Sequence, residues 1–303
     1  RRLPPVLAVR HRQRTPVTST VRPLGLPREL PEERETPHDG PSGRTGLPRR
    51  AFVAQIMGLP MSVHVRGPHA RGEAVAAAVE QAYAELRTDE AMFSIWRHDS
   101  PVSRIRDGRD SLRDAHPRIR HVASLCELAG QRTGGAFSAW LPDGEGTTRF
   151  NPTGLVKGWS VEQAFGKLVG RLHELGAHDA LINAGGDIAV HCSRTDTPPW
   201  TVAVEDPRDR SRLLRTVAVR TGAVATSGTA ARGHHITDPV TGVPARGLLS
   251  ATVIGPELTW ADVYATAAFV KGPTAVGWLA TLPRHAGLLV ELDGRVITVR
   301  AAT

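Results

Sequence analysis

The sequence predicts an α+β fold, a single body of mixed sheets and packed helices preceded by a tail. Three observations carry that expectation. The first 50 of the 303 residues hold nine of the 23 prolines, no aromatic residue and no period of 2 or 3.6. Such a composition cannot offset its ordering entropy by burial, so a disordered Arg/Pro-rich tail is expected over 1–50. From 51 to 303, strand-like and helix-like patterns intermix with no internal linker, which fits one ordered domain of about 250 residues. No run of 18 apolar residues occurs, so no membrane span is expected.

The elements follow in order. The run AFVAQIMGLPMSVHVRG from residue 51 reads as two strands around a Gly-Leu-Pro turn. Residues 69–87 place Val75, Val79, Ala82 and Leu86 on one helical face, and 117–132 do the same with Ile119, Val122, Leu125 and Leu128 before a Thr-Gly-Gly stop. A third helix is expected over 158–175, ending at Gly176. An apolar strand over 180–190 is interrupted by a glycine pair, and 200–205, 216–219 and 251–254 are further strand candidates. Helices at 260–271 and 274–281 and strands at 286–291 and 295–299 close the chain.

Charge and cysteine content narrow the function. The formal net charge is +8, but residues 1–50 carry 11 Arg against 5 acidic residues, so the body is left near +2. With six Phe and two Tyr, and no basic run interleaved with aromatics, a nucleic-acid partner is not expected. Only Cys126 and Cys192 are present, with no CxxC and no Cys/His spacing, so neither zinc nor a disulfide framework is supported. The start RRLPPVLAVRHRQR has its apolar stretch broken by two prolines and ended by Arg10, which is a poor signal peptide. A cytoplasmic location is the expectation.

Four polar, glycine-rich stretches carry the candidate chemistry. Asn151-Pro-Thr-Gly154-Leu-Val-Lys157-Gly158 precedes a helix, where backbone N–H groups and a lysine can meet a phosphate; it also reads as a plain turn with a solvated lysine. Ala184-Gly185-Gly186-Asp187 ends an apolar strand, where missing Cβ atoms admit a ring or phosphate, or simply make a hairpin turn or bulge. In Thr259-Trp-Ala-Asp262-Val-Tyr-Ala-Thr266, Asp262 and Thr266 lie one helical turn apart, a pair of hard oxygen ligands suited to Mg²⁺. The plain alternative makes Thr259 an N-cap and Asp262 a dipole-stabilising residue. Residues 226–242, TSGTAARGHHITDPVTG, gather hydroxyls and imidazoles with almost nothing to bury, so His235 is a candidate general base and Asp-Pro-Val-Thr-Gly a turn.

Together these stretches resemble the ApbE family of FAD:protein FMN transferases. The matching segments appear in family order: Met57-Gly58; Phe93-Ser94-Ile-Trp96 with Ser100-Pro-Val-Ser103-Arg104-Ile105; Gly134-Gly135-Ala136-Phe137; Gly154-Leu-Val-Lys157-Gly158; Ile182-Asn-Ala-Gly185-Gly186-Asp187; Thr226-Ser227-Gly228; His235-Ile-Thr-Asp238-Pro239-Val-Thr241-Gly242; and Ala261-Asp262-Val-Tyr-Ala-Thr266-Ala. They span roughly 52–300.

The resemblance implies an ApbE-like, T-fold-like domain over 51–303. It also implies a Mg²⁺-dependent transfer of FMN from FAD to a Thr or Ser hydroxyl of a target flavoprotein, with release of AMP. By the same resemblance, Asp262, Thr266 and the carbonyl of Gly154 hold the metal. Met57, Trp96, Ala136, Phe137, Ser138, Asn151, Lys157, Glu162 and Leu249 line FAD, and His235 stands near the scissile phosphate beside Asp262. The acceptor carries an Asp-x-x-Thr/Ser-Gly-Ala/Ser-Thr type of motif, which this chain lacks. The chain departs from the family where Asp is usual at Ser138, Asn151 and Glu162, where Tyr is common at Trp96, and in a short segment between Phe137 and Asn151. An FAD pyrophosphatase giving FMN and AMP, and a non-catalytic FAD-binding protein, are the rival readings.

Overall fold

The computed structural model describes residues 46–142, 146–230, 233 and 236–300. The expected tail falls outside these residues over 1–45, and its last two residues belong to the first strand. Arg49 and Arg50 open β1 (Arg49–Ile56), pairing with Arg66 and Val65 of β2 (Leu59–Arg66). The first strand therefore begins two residues before the expected boundary at 51.

The turn between them is Met57-Gly58 rather than Gly-Leu-Pro. Both residues have positive φ, 55° and 68°, the backbone that a two-residue hairpin loop needs to match the strand twist. Leu59 and Pro60 are already in β2.

The remaining elements are α1 (Glu73–Phe93), α2 (Pro101–Arg106), α3 (Pro117–Thr133), the short strands β3 (Trp140–Pro142) and β4 (Thr148–Phe150), and α4 (Thr153–Glu174). They continue as β5 (Asp179–Ala184), β6 (Asp187–His191), β7 (Trp200–Asp206), β8 (Asp209–Val219), β9 (Thr221–Gly228), β10 (Leu248–Gly255), α5 (Leu258–Lys271), α6 (Ala275–Leu279), β11 (Ala286–Glu291) and β12 (Val296–Val299). Eight strands form one sheet in the order β1-β2-β5-β6-β9-β10-β11-β12, and every pairing is antiparallel. The pairs β3-β4 and β7-β8 stand outside it.

Burial on one face of this sheet builds the main core. Ile182 and Ala184 of β5, Ala189 of β6, Ala223 and Ala225 of β9, and Ala251 and Val253 of β10 pack there with Leu86 of α1, Leu155, Val161 and Leu172 of α4, and Phe269 of α5. The small alanines let α5 lie close to the strands. Helix α5 is buried almost all round, from Leu258 to Phe269, as expected of a helix without a polar face. The opposite face carries a smaller cluster, Val190, Val202, Val219 and Val224, under β7 and β8.

Sequence patterning missed β9, α2 and the β3-β4 pair. It also placed the start of α4 five residues late, because Asn151 to Gly158 was read as a stretch preceding the helix. Among the described residues, no helix is long and apolar enough to cross a membrane.

Candidate active site

One end of the sheet collects the glycine-rich motifs. The β1-β2 turn and the β5-β6 turn lie side by side there, since Gly185 N–H donates to the Pro60 carbonyl at 3.2 Å. Gly185 and Gly186 have φ of 63° and 105°, so the glycine pair is a hairpin turn, as one sequence reading allowed. A Cβ on Gly185 would stand 3.2 Å from the Leu59 methyls. The end of β9 and the start of β10 reach the same edge, with Gly228 opposite Ser250. Met57 and Leu249, both half-buried, flank it.

Thr226, Ser227 and Gly228 are thus strand residues rather than part of an unburied loop, and Ser227 is buried. Further on, Asp238 accepts from Val240 N at 2.9 Å and from the Thr241 hydroxyl at 3.0 Å. Its carboxylate is occupied by the Asp-Pro-Val-Thr-Gly turn. His235 lies outside the described residues.

Two helices bring charge to this edge. Lys157 on α4 donates to Asp187 Oδ2, and its Nζ also stands 3.5 Å from Asp262 Oδ2 on α5. The other Asp187 oxygen accepts the Thr226 backbone N–H at 3.0 Å. Asp262 is 4% exposed and its Oδ2 has no hydrogen-bond partner. Thr266, one turn further along α5, shares a 3.0 Å hydroxyl contact with Ser227. Two buried carboxylates and one partly exposed ammonium therefore meet at this edge.

The electrostatics follow from that imbalance. Burial pushes the Asp262 carboxyl up to about 7, only partly opposed by Lys157, and the Asp187 charge adds to the rise. Burial also works against the charge on Lys157, but Asp187 and Asp262 outweigh it and hold the ammonium above the ordinary lysine range.

The approach of α4 to α5 depends on Gly158. A Cβ there would lie 3.1 Å from both the Cβ and Oδ2 of Asp262 and 3.2 Å from the Leu258 carbonyl. Gly154, one turn earlier, faces the Phe137 ring, which a Cβ there would meet at 3.2 Å. Phe137, Gly154, Lys157, Asp262 and Thr266 thus form one contiguous set, joined by Asp187 and Ser227, to which sequence reasoning gave no role.

Other expected residues are placed differently. Asn151 Oδ1 accepts from Thr153 N at 3.2 Å and from its hydroxyl at 2.7 Å, while the Pro152 carbonyl takes the N–H groups of Leu155 and Val156. The start of α4 is therefore largely satisfied by the chain itself, and Lys157 is inside the helix rather than in a turn before it. Glu162 accepts both the backbone N–H of Thr259, at 2.9 Å, and its hydroxyl. Burial raises its carboxyl pKa, and the Thr259 bonds partly restrain the rise. Thr259 is thus not an N-cap: Glu257 precedes the helix, and the carboxylate that satisfies Thr259 comes from α4.

The Ser138 hydroxyl donates to the Trp140 carbonyl and accepts its N–H, both at 3.0 Å, closing a local turn after buried Ala136 and Phe137. Trp96 is 81% exposed, on the loop after α1. Beside Asn151, a cavity of about 130 Å³ is lined by Arg106, Leu141, Pro142, Arg149, Asn151 and Thr237.

The donor set suits a hard divalent cation. Asp262 supplies a buried carboxylate oxygen with no hydrogen bond, and Thr266 a hydroxyl one turn away, and Mg²⁺ usually takes one or two carboxylates and completes its shell otherwise. Among the described residues, no group of three or more His, Cys, Asp or Glu side chains is placed to hold a metal.

The chain is similar to known proteins in sequence and in fold. The ApbE family model matches residues 139–289, from β3 into β11. FAD:protein FMN transferases of Rhodobacter capsulatus and Treponema pallidum are 38% identical over 109 residues and 34% over 149, covering 32% and 43% of this chain. The matches span only 20% and 41% of those relatives. The Klebsiella pneumoniae enzyme of the same name is 25% identical over 274 residues, 72% of this chain and 77% of its own. Among solved structures, the ApbE protein of Thermotoga maritima superposes with a TM-score of 0.71 at 21% identity, over 84% of this chain and 97% of its own. The flavin transferase ApbE of Vibrio cholerae gives 0.68 at 20%, over 84% and 98%. By its family match, its relatives and its fold, this chain belongs to the ApbE family.

Proposed function

We infer that this chain is an FAD:protein FMN transferase, moving FMN from FAD to a Thr or Ser hydroxyl of a flavoprotein acceptor and releasing AMP. The observation that carries the reading is the buried Asp262 Oδ2, which has no hydrogen bond in a cluster holding one more carboxylate than cation. The names of the relatives support the same reaction class.

Asp262, Thr266 and the Gly154 carbonyl would hold Mg²⁺. Bound there, the ion would supply charge neutralisation at the phosphoryl oxygens of the FAD diphosphate. Lys157, anchored on Asp187, presents a fixed positive charge to the same diphosphate. Exposed Trp96 offers aromatic surface to the flavin or adenine ring, and Phe137, buried beside Gly154, is carried by the resemblance as lining. Met57, Ala136, Ser138, Asn151, Glu162 and Leu249 are carried by the resemblance as further lining, with Glu162 acting through the amino end of α5. His235 is assigned the proton of the acceptor hydroxyl. The new phosphoester forms as the pyrophosphate P–O bond breaks and AMP leaves. The acceptor is another polypeptide bearing an Asp-x-x-Thr/Ser-Gly-Ala/Ser-Thr type of motif.

The test is AMP release and covalent FMN on such an acceptor peptide, with Mg²⁺ or with chelator. AMP that appears only with acceptor and metal establishes the transferase, whereas AMP without acceptor makes the chain a pyrophosphatase. Intact FAD in every arm, with tight binding, overturns both.

A further inference from the structure

We propose that Asp187 is the positioning residue that keeps the cation site open, by holding the Lys157 ammonium away from Asp262. The proposal rests on the reading of Asp262 as a metal ligand and adds a role for a residue outside that ligand set.

Lys157 Nζ forms ion pairs with two carboxylates, and its hydrogen bond goes to Asp187. It donates to Asp187 Oδ2, yet stands 3.5 Å from Asp262 Oδ2, which accepts no hydrogen bond. Asp187 is itself pinned. It opens β6 directly after the positive-φ Gly185-Gly186 turn, and its Oδ1 takes the backbone N–H of Thr226 across the sheet edge. One oxygen of Asp187 is thus tied to β9, and the other holds the lysine.

A partly buried ammonium beside two buried carboxylates favours being paired. Without the Asp187 charge, the remaining carboxylate within reach of Lys157 is Asp262. The lysine would close on it, taking the oxygen that a divalent ion needs. With Asp187 in place, a cation enters without first breaking a Lys157–Asp262 hydrogen bond. The arrangement has the character of an outer-shell contact that orients a ligand, and loss of such contacts typically lowers metal affinity by about 10- to 100-fold.

The test is Mn²⁺ binding to the full chain, followed by electron paramagnetic resonance with neither FAD nor acceptor present, for wild type, Asp187→Asn, Lys157→Met and the double variant. Asp187→Asn retains an acceptor for Thr226 N–H and is expected to weaken Mn²⁺ binding by about 10-fold or more. Lys157→Met is expected to tighten it several-fold, and the double variant to bind like Lys157→Met, because Asp187 acts through the lysine. Equal weakening by Asp187→Asn with and without Lys157 would show a plain loss of negative charge and overturn the proposal, as would no weakening in either background. If Asp187→Asn fails to fold, Lys157→Met alone decides, and unchanged or weaker Mn²⁺ binding sinks the idea. Wild type that binds no Mn²⁺ overturns the metal reading together with this proposal, whereas tight wild-type binding with an inert Asp187→Asn overturns this proposal alone.

Discussion

Two buried ion clusters sit at opposite ends and on opposite faces of the β5-β6 hairpin, and they are built differently. At the first residue of β5, Asp179 pairs with Arg66 at 2.9 Å, the two side chains being 0% and 3% exposed. Its oxygens also accept from the Thr197 hydroxyl at 2.6 Å and from Arg194 N at 3.2 Å. Arg66 donates to the Pro198 carbonyl and to Cys192 Sγ, and its guanidinium lies 4.2 Å from the centroid of the Trp200 ring. One charge meets one charge, and both Asp179 oxygens are used. At the first residue of β6, Asp187 shares Lys157 with Asp262, and one Asp262 oxygen is left over. A closed cluster of this kind fixes a fold, whereas an open one asks for a ligand.

That contrast can be broken most forcefully at the closed end. Asp179→Ala leaves the Arg66 guanidinium buried without its carboxylate and should cost about 3–5 kcal/mol of stability, read as a lowered urea midpoint with an unchanged slope. A variant of ordinary stability would mean that the pair is not a structural anchor. At the open end, Gly158→Ala puts a methyl against Asp262 and the Leu258 carbonyl. It should cost about 1–3 kcal/mol through overpacking and lower activity along with stability; full activity would show that α5 can shift without harm to the site.

Smaller effects sharpen the same picture. Asn151→Ala removes the side chain that satisfies Thr153 N–H at the start of α4 and should cost about 1 kcal/mol, measured by thermal unfolding. Met57→Gly relieves a non-glycine residue at φ 55° and should change stability by less than about 1 kcal/mol. If Met57 lines FAD, the same variant weakens FAD binding, which fluorescence titration would detect.

What was legible in the sequence follows the reach of local pattern. The Gly185-Gly186 turn, the one-turn spacing of Asp262 and Thr266, and the hydrophobic face of α1 are local features that appear where the spacing put them, whereas the buried face of α3 runs through Ile119, Val122, Ala123, Cys126 and Ala129 and leaves the expected Leu125 and Leu128 half-buried. Strand β9 was not legible, because Thr226, Ser227 and Gly228 look like loop chemistry until the alanines before them are seen under α5. The stretch Asn151 to Gly158 was read as preceding a helix, although Gly154 and Gly158 lie inside α4, where they face Phe137 and Asp262. Asp187 was noticed as part of a motif but given no role, since its partners lie 30 and 39 residues away, on α4 and β9. Glu162 was taken for a ligand-lining residue, and its commitment to Thr259, 97 residues on, appears only in three dimensions.

The most direct measurement of the open-cluster account is the thermal midpoint of the full chain with and without Mg²⁺, for wild type, Asp262→Ala and Asp179→Ala. A ligand that binds only the folded state raises stability by mass action. The account predicts that Mg²⁺ raises the midpoint of wild type, fails to raise that of Asp262→Ala, and still raises the already lowered midpoint of Asp179→Ala. A wild type indifferent to Mg²⁺, or an Asp262→Ala variant stabilised as much as wild type, would contradict it.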